Sequence, residues 1–355
     1  MLKKFLIGFG VLAIVITIFP FIAVDYWWIR VFDFPHIQLT LLTLIAFLVY
    51  FIRFDFKNVK DYLFISIVGA CLVFQFLKIY PYTFLNDLEI KDSSASNTNS
   101  LKIYTSNVLQ KNEKKNLLIA DLKKVDPDVV LLTETDQKWI DEVSDFFAND
   151  YQKQLVPIDN TYGMALYSKL DLVDIETKFL VSDSIPSIHG KLRLKDGNLI
   201  QFYAIHPTPP VPQENDMSTN RDAEMMMIAK MSLERELPTL VLGDFNDVAW
   251  SETSQLFKNV STLLDARLGR GFFNTYSADS NILKWPLDHI FVSEEFRIKN
   301  IEVRGDVNSD HYPLYTELTF EPELAKEQKP EKPTKNELER ANTQIKKFRE
   351  SEQKN

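Results

Sequence analysis

The 355-residue chain predicts an α/β domain carried behind three membrane-spanning helices. Three observations predict it. Between Leu101 and Phe320, short runs of aliphatic and β-branched residues alternate with segments of helical spacing, the pattern of strands and crossover helices. Strand after strand there ends in a polar residue of chemical use. Ahead of that region, three charge-free apolar runs follow one another.

The anchor comes first. After Lys3 and Lys4, Phe5 to Val24 is uncharged and reaches the roughly 20 residues that a bilayer span takes. No small-x-small cleavage site follows, so a cleaved signal peptide is the weaker reading. Phe34 to Ile52 is the second run. Tyr62 to Leu77 is the third and shortest, extended by a snorkelling Lys78 and by Ile79 to Leu85; a buried soluble helix is its alternative. Lys3 and Lys4, then Arg53, Lys57 and Lys60, mark one side of the bilayer. The loop between the first two runs holds only Arg30 and an interfacial set, Tyr26, Trp27 and Trp28. The positive-inside bias then places everything after Tyr80 outside the cytoplasm.

Composition shifts divide the chain into an anchor (1–85), a polar linker (86–100), an α/β domain (101–320) and a charged tail (321–355). Leu338, Ile345 and Phe348 look too sparse for a packed face, so the tail reads as solvated, disordered or partly helical. One cysteine, Cys71, lies in an apolar run and excludes a disulfide framework within the chain. A net charge of -9 argues against holding long nucleic acid by charge alone.

Within the domain, Leu101 to Thr105 reads as a strand ending at Ser106-Asn107, and Asn116 to Val125 as a helix. Val129 to Thr133 is a buried strand that delivers Glu134. Tyr162 to Ser168 is another strand. Lys191 to Leu194 and Leu199 to Ile205 form a hairpin around Asp196-Gly197 whose second arm delivers His206. Arg221 to Leu233 is a helix. Thr239 to Leu242 is a strand, after which Gly243 turns the backbone and exposes Asp244 and Asn246. Leu287 to Val292 carries Asp288 and His289, and Asp310-His311 precedes the last strand, Leu314 to Phe320. Four of the 5 histidines fall in this domain, three of them in these motifs. Acids, amides and imidazoles at successive strand ends suit work on a phosphate in one mouth.

Taken in order, Thr105-Ser106-Asn107-Val108, Leu132-Thr133-Glu134, Ala204-Ile205-His206-Pro207, Gly243-Asp244-Phe245-Asn246, Leu287-Asp288-His289 and Ser309-Asp310-His311 resemble the endonuclease/exonuclease/phosphatase superfamily of metallo-phosphoesterases. The resemblance covers the whole domain and implies a four-layer α/β sandwich, two packed sheets flanked by helices, with the site at one edge. Pro207-Thr208-Pro209-Pro210, Arg221 and Trp250-Ser251 suggest its membrane-attached bacterial branch, where similar members are linked to lipid-carrier pyrophosphate hydrolysis.

Chemistry and resemblance together suggest roles. Glu134 is the leading ligand for Mg²⁺, with Mn²⁺ as the other candidate; Asn107 completes or orients that site and Asp310 is a second ligand candidate. Asp244 orients or deprotonates the attacking water. Asn246 and His206 contact the phosphate. His311 donates to a phosphoryl oxygen or moves a proton, with Asp288 orienting its ring. Arg221 either pairs with Glu224 or contacts phosphate. His289 reads as a packing or supporting residue, His189 as a rim residue, and Met225-Met226-Met227 as core. Phe272, Phe273, Tyr276 and Trp285 are core or lip. In many nucleases an acid stands two positions after the first-strand asparagine; here that place is Leu109.

The expected function is a membrane-tethered, Mg²⁺-dependent phosphoesterase cleaving a phosphomonoester, phosphodiester or pyrophosphate bond, with a lipid-linked phosphate as candidate substrate. A nuclease is the alternative, disfavoured by the domain's excess of acidic over basic residues. A catalytically silent membrane scaffold is the third reading.

Overall fold

In the computed structural model, residues 1–19, 25–94, 99–148, 150–212 and 215–353 are described. The N-terminal helices are α1 (Leu2–Ile18), the single turn α2 (Trp27–Arg30), α3 (His36–Tyr50) and α4 (Val59–Ile79). Their packing is inside-out. Phe5, Leu12, Leu41, Leu48, Leu63 and Leu77 are exposed, while Ala13, Thr17, Thr43, Ala46 and Gln75 are buried between the helices. Small residues let the helices approach, and the Gln75 amide donates to Thr17 Oγ1 at 2.5 Å across the interface. Among the described residues two helices have the length and composition to cross a membrane, His36–Arg53 and Val59–Tyr82, rather than the three expected. The first expected span, Phe5 to Val24, is described only as far as Phe19, where α1 ends next to Pro20 in the sequence; residues 20–24 lie outside the described residues.

Two six-stranded sheets make the domain. The first holds β1 (Ser100–Asn107), β2 (Val129–Thr133), β3 (Gln152–Val156) and β4 (Met164–Ser168), together with two strands from the end of the domain. The second holds β5 (Asp171–Lys178), β6 (Ser187–Arg193), β7 (Leu199–Ile205), β8 (Thr239–Asp244), β9 (Leu264–Asp265) and β10 (Asp288–Val292). The chain then returns to the first sheet through β11 (Phe296–Val303) and β12 (Leu314–Phe320), giving the order β11-β12-β1-β2-β4-β3 against β5-β6-β7-β8-β10-β9.

Each sheet has one parallel pair at its centre, because a crossover helix joins its strands. α5 (Lys115–Val125) links β1 to β2, and α7 (Thr219–Leu233) links β7 to β8. The central strands are buried on both faces, so they read as continuous apolar runs. Ile103, Leu131, Leu166, Phe202, Leu242 and Ile290 fill the space between the sheets. The outer face of the first sheet is covered by α5 and α6 (Gln137–Val143) through Leu118, Leu122 and Trp139. α7 and α8 (Glu252–Ser261) cover the outer face of the second through Met225, Met226 and Phe257. This is the layered α/β sandwich that the resemblance implied.

Two sequence readings are corrected here. The tail carries α9 (Lys335–Glu352), opened by a capping box at Thr334 and Glu337. Leu338, Ala341 and Ile345 share one helical face and pack on the core around α7, and Phe348 packs beside Ala223. Sparse residues suffice because their spacing puts them all on that face. His189 is buried rather than on a rim: it lies in β6, with Nε2 2.9 Å from Ser187 Oγ and its ring edge-on to Tyr203. The segment ahead of β1 also docks, with Ile90 buried in the inter-sheet core and the Ser93 N–H donating to the Ile298 carbonyl.

Candidate active site

Strand register assembles the cleft. In the β1–β2 pair Asn107 stands opposite Thr133, which sets Asn107 beside Glu134. In the β7–β8 pair Ile205 stands opposite Gly243, which sets His206 beside Asp244. In the β8–β10 pair Asp244 faces Asp288 directly. The two sheets meet where these strands end, and the Asn107 amide spans the junction. Its Nδ2 donates to Glu134 Oε1 at 2.8 Å and to Asp244 Oδ2 at 3.0 Å.

Asp244 is the hub. Its Oδ2 also lies 3.6 Å from His311 Nε2 and 3.8 Å from His206 Nε2, and its Oδ1 accepts the Asn246 N–H at 3.0 Å. His311 Nδ1 sits 2.9 Å from Asp288 Oδ2, and Ser309 Oγ, which itself donates to the Asn107 carbonyl, accepts the His311 backbone N–H. Tyr276 packs on the His311 ring at 4.9 Å between centroids. Glu134 and Asn246 both adopt left-handed backbone conformations, φ 62° and 51°, as does Leu109 at 55°. For Glu and Leu that costs roughly 1–2 kcal/mol each, a strain retained at the turns that aim Glu134 and Asn246 into the cleft.

The environment separates the charge states of the two imidazoles. Burial pushes His206 down to about 4 in spite of Asp244, so it is neutral at pH 7, and its Nδ1 has no hydrogen-bond partner. Burial also opposes charge on His311, but Asp244 and then Asp288 outweigh it and hold His311 up at about 10 as an imidazolium. Burial lifts the Glu134 carboxyl to about 7, aided by the charge of Asp310 and opposed by the Asn107 amide.

These residues line a cleft of about 270 Å³ that includes Asn107, Glu134, His206, Asn246, Asp310 and His311. Asp244 and Asp288 are buried behind the lining residues, in contact with Asn107 and His311. The donor set suits a hard divalent cation: Glu134 and Asp310 are carboxylates at one wall, and a cation there would offset the burial that now lifts Glu134. Asp244, Asp288 and His311 also offer three ligand atoms within 4.8 Å of one another. Both sets, Glu134 with Asp310 and Asp244 with Asp288 and His311, offer oxygen or nitrogen donors for a cation at this cleft.

Not every candidate faces the cleft with a free functional group. Arg221 is buried behind the cleft and does not line it. Its guanidinium is taken by Asp222 Oδ1 at 2.9 Å and by the Asn246 carbonyl at 2.9 Å, so it braces the Asn246 turn instead of facing phosphate. The Glu224 carboxylate oxygens find no hydrogen-bond partner, so the expected pairing with Arg221 is not made. Asn107 Oδ1 accepts the Leu109 N–H at 3.0 Å, so Asn107 here spaces the two carboxylates. His289 is fully buried, its Nε2 2.8 Å from the Asp247 carbonyl and its Nδ1 against Arg267. Sequence reasoning missed Phe34, Thr161 and Tyr162 as cleft residues. Gly163 was the available signal for the last two: a Cβ there would sit 1.8 Å from the Thr135 carbonyl oxygen, so only glycine lets this loop close on the Glu134 turn.

A family profile described as "Endonuclease/Exonuclease/phosphatase family" matches residues 96–311, more than half of the chain. In fold the chain is similar to an endonuclease/exonuclease/phosphatase family protein from Bacteroides thetaiotaomicron, at 19% identity and a TM-score of 0.51 over 63% of this chain and 96% of that one. It is similar to D. rerio TDP2 complexed with single-strand DNA product, at 14% identity and 0.53 over 62% and 99%. The human nocturnin catalytic domain with bound sulfate anion is similar at 17% identity and 0.51 over 68% and 99%. At such identities the likeness to these structures is one of fold. No curated protein sequence matches the chain.

Proposed function

Since the chain belongs to the endonuclease/exonuclease/phosphatase family, whose members are metal-dependent hydrolases of phosphoester bonds, we propose that it is a membrane-tethered, Mg²⁺-dependent phosphoesterase acting on lipid-linked phosphate outside the cytoplasm. The observation that carries this reading is the convergence of Glu134, His206 and His311 on one cleft, with Asp244 in contact with both imidazoles, beside an anchor that turns its apolar side chains outward.

Asp244 aligns the attacking water and takes its proton; the Asn107 amide fixes the carboxylate in place. The His311 imidazolium donates from Nε2 to a phosphoryl oxygen, and Asp288 holds its Nδ1–H. His206, neutral, and Asn246 donate to the remaining phosphoryl oxygens without adding charge to the attack side. Glu134 and Asp310 would hold Mg²⁺, or Mn²⁺ in its place. When bound, the cation neutralises a phosphoryl oxygen and stabilises charge as the P–O bond breaks.

The membrane reading is supported by the exposed apolar faces of α1, α3 and α4 and by charge placement. Lys3 pairs with Asp61 at 2.5 Å, which puts the basic residues Lys3, Lys4, Arg53, Lys57 and Lys60 at one end of the bundle. The catalytic domain meets the other end, where the Tyr82 hydroxyl donates to the Ala249 carbonyl. Tethering raises the local concentration of membrane substrates.

Full-length protein in detergent, given a panel of lipid, sugar and nucleotide phosphoesters with and without Mg²⁺, tests this. Release of phosphate from a lipid phosphate, abolished by EDTA and by Glu134→Ala or Asp244→Ala, is expected. Cleavage of plasmid or single-stranded DNA in preference to every lipid substrate would replace it with the nuclease reading. Full biological function in both alanine variants would leave the scaffold.

A further inference from the structure

Behind the cleft lies a buried set of charges to which the anchor contributes. Arg30 is the last residue of α2, the single turn between α1 and α3. Its guanidinium reaches the α/β domain, 3.6 Å from Asp222 in the first turn of α7. It also lies 3.5 Å from Asp33 and 3.6 Å from Asp25, both of its own loop. The Arg30 side chain is 14% exposed and that of Asp222 only 3%, so water screens this pair weakly.

Asp222 is shared between two guanidiniums. Its Oδ1 accepts from Arg221 Nε at 3.1 Å and from Arg221 Nη2 at 2.9 Å. Its Oδ2 faces Arg30 and accepts the Ser218 hydroxyl at 2.9 Å. The two-point grip fixes the plane of the Arg221 guanidinium. Nη1 is then aimed at the Asn246 carbonyl, 2.9 Å away, and at Asp247 Oδ1, 3.3 Å away. That seats the turn from which Asn246 presents its amide, with Nδ2 donating to the Pro207 carbonyl at 3.0 Å. A run of contacts thus leads from the anchor to a phosphate-facing side chain: Arg30, Asp222, Arg221, Asn246.

The separations from Arg30 are too long for good hydrogen bonds, so it acts through its charge. Without Arg30, Asp33 and Asp222 both lose a cation. The Arg221 guanidinium is then drawn toward the under-compensated carboxylates, and its bond to the neutral Asn246 carbonyl is the first to give way. Docking of the loop does not depend on that charge. The Trp27 N–H donates to the Asp216 carbonyl at 3.0 Å and the Ser218 N–H to the Asp25 carbonyl at 2.8 Å. The Trp250 indole donates to the Asp33 carbonyl at 2.7 Å. None of these bonds uses the Arg30 side chain, so its charge can be removed while the loop stays in place.

We infer that Arg30 is a positioning residue for the catalytic turn: its charge holds Asp222 so that Arg221 seats Asn246 against the substrate phosphate. The anchor is then more than a tether, because the loop between α1 and α3 completes the support of the active site. Arg30 itself touches neither substrate nor cation. This inference rests on the phosphoesterase reading above.

The test is a double-mutant cycle in full-length protein with Mg²⁺, read as kcat/KM on p-nitrophenyl phosphate and bis(p-nitrophenyl) phosphate. Arg30→Gln is expected to lower kcat/KM by about tenfold, part of the roughly 10²-fold that a misplacement of about 1 Å costs. Arg30→Lys keeps the charge and should stay within about threefold of wild type. Asn246→Gly removes the positioned amide and tolerates the left-handed turn; in that background Arg30→Gln should cost less than about threefold. A merely structural Arg30 would cost the same in both backgrounds, and that result overturns the inference. So does an unchanged kcat/KM in Arg30→Gln, or an Arg30→Lys variant as poor as Arg30→Gln. Where Arg30→Gln fails to fold, Arg30→Gln with Asp33→Asn removes one anion along with the cation and still leaves Asp222 under-compensated. The same loss of about tenfold is expected of it, and wild-type activity overturns the inference. Hydrolysis of neither ester by wild type refutes the phosphoesterase reading and this inference with it, whereas equal rates in wild type and Arg30→Gln overturn the inference alone.

Discussion

Gly243→Ala is the substitution by which the geometry of the cleft is most directly tested, because it changes no charge and removes no catalytic atom. Gly243 has φ 139°, and a Cβ built on it would stand 2.0 Å from the Ile205 carbonyl oxygen, where real contacts do not fall below 3.0 Å. The shortfall, 3.0 less 2.0, means that β7 and β8 must separate locally by about 1 Å. Either Asp244 and Asn246 move with β8 or His206 moves with β7. The 3.0 Å bond from Asn107 to Asp244 does not survive such a shift. A misplacement of about 1 Å costs on the order of 10²-fold in rate, about 2.7 kcal/mol of transition-state stabilisation. Gly197→Ala is the control. Gly197 also has positive φ, 90°, at the tip of the β6–β7 hairpin, but a Cβ there meets nothing within 4 Å. It suffers the left-handed penalty of roughly 1–2 kcal/mol and no clash. The assay is Mg²⁺-dependent phosphate release by full-length protein, with circular dichroism to verify that each variant is folded. Folded Gly243→Ala with kcat within twofold of Gly197→Ala would refute the claim that this close approach sets the site.

Three further outcomes follow from the same structure. Burial lifts the Glu224 carboxyl from 4.5 to about 8 with no partner to offset it. The native state therefore binds the extra proton, and stability falls as pH rises from 4.5 to about 8, by up to about 4–5 kcal/mol; Glu224→Gln should flatten the pH dependence of Tm, and parallel curves would contradict this. Asp288→Asn removes one of the two anions that hold His311 charged, so the alkaline limb of the kcat profile should move to lower pH, with kcat down by 10²-fold or more; an unmoved limb would separate Asp288 from His311. Ile345→Ala should lower stability by about 2–5 kcal/mol, because α9 is seated on the core around α7; a change under 0.5 kcal/mol in denaturant unfolding would show that the tail does not pack in solution.

Much of the fold was legible because its central strands carry their own signature. Val129–Thr133 and Leu314–Phe320 match the expected bounds, since runs buried on both faces stand out from polar flanks. β3, β5 and β11 went unread for the opposite reason: they are partly exposed strands toward the sheet edges, with mixed residues and no clear period. α9 was read as solvated because four apolar residues in eighteen look sparse in a line but share a face on a helix. Arg221 and His189 were misplaced because a basic or imidazole side chain gives no sequence sign of whether its partner is substrate or protein.

By itself, the order of residues determined the family, the strand ends that bear acids, amides and imidazoles, and the apolar character of the first third of the chain. Those are local properties, written in short motifs and in hydropathy over one element. Only the tertiary structure decided that Asp244 faces Asp288 across a strand pair, that Arg221 braces Asn246 from behind, and that Phe34 of the anchor lines the cleft. Each of these joins residues far apart in the chain, and such contacts are fixed by register and packing, which no single segment encodes.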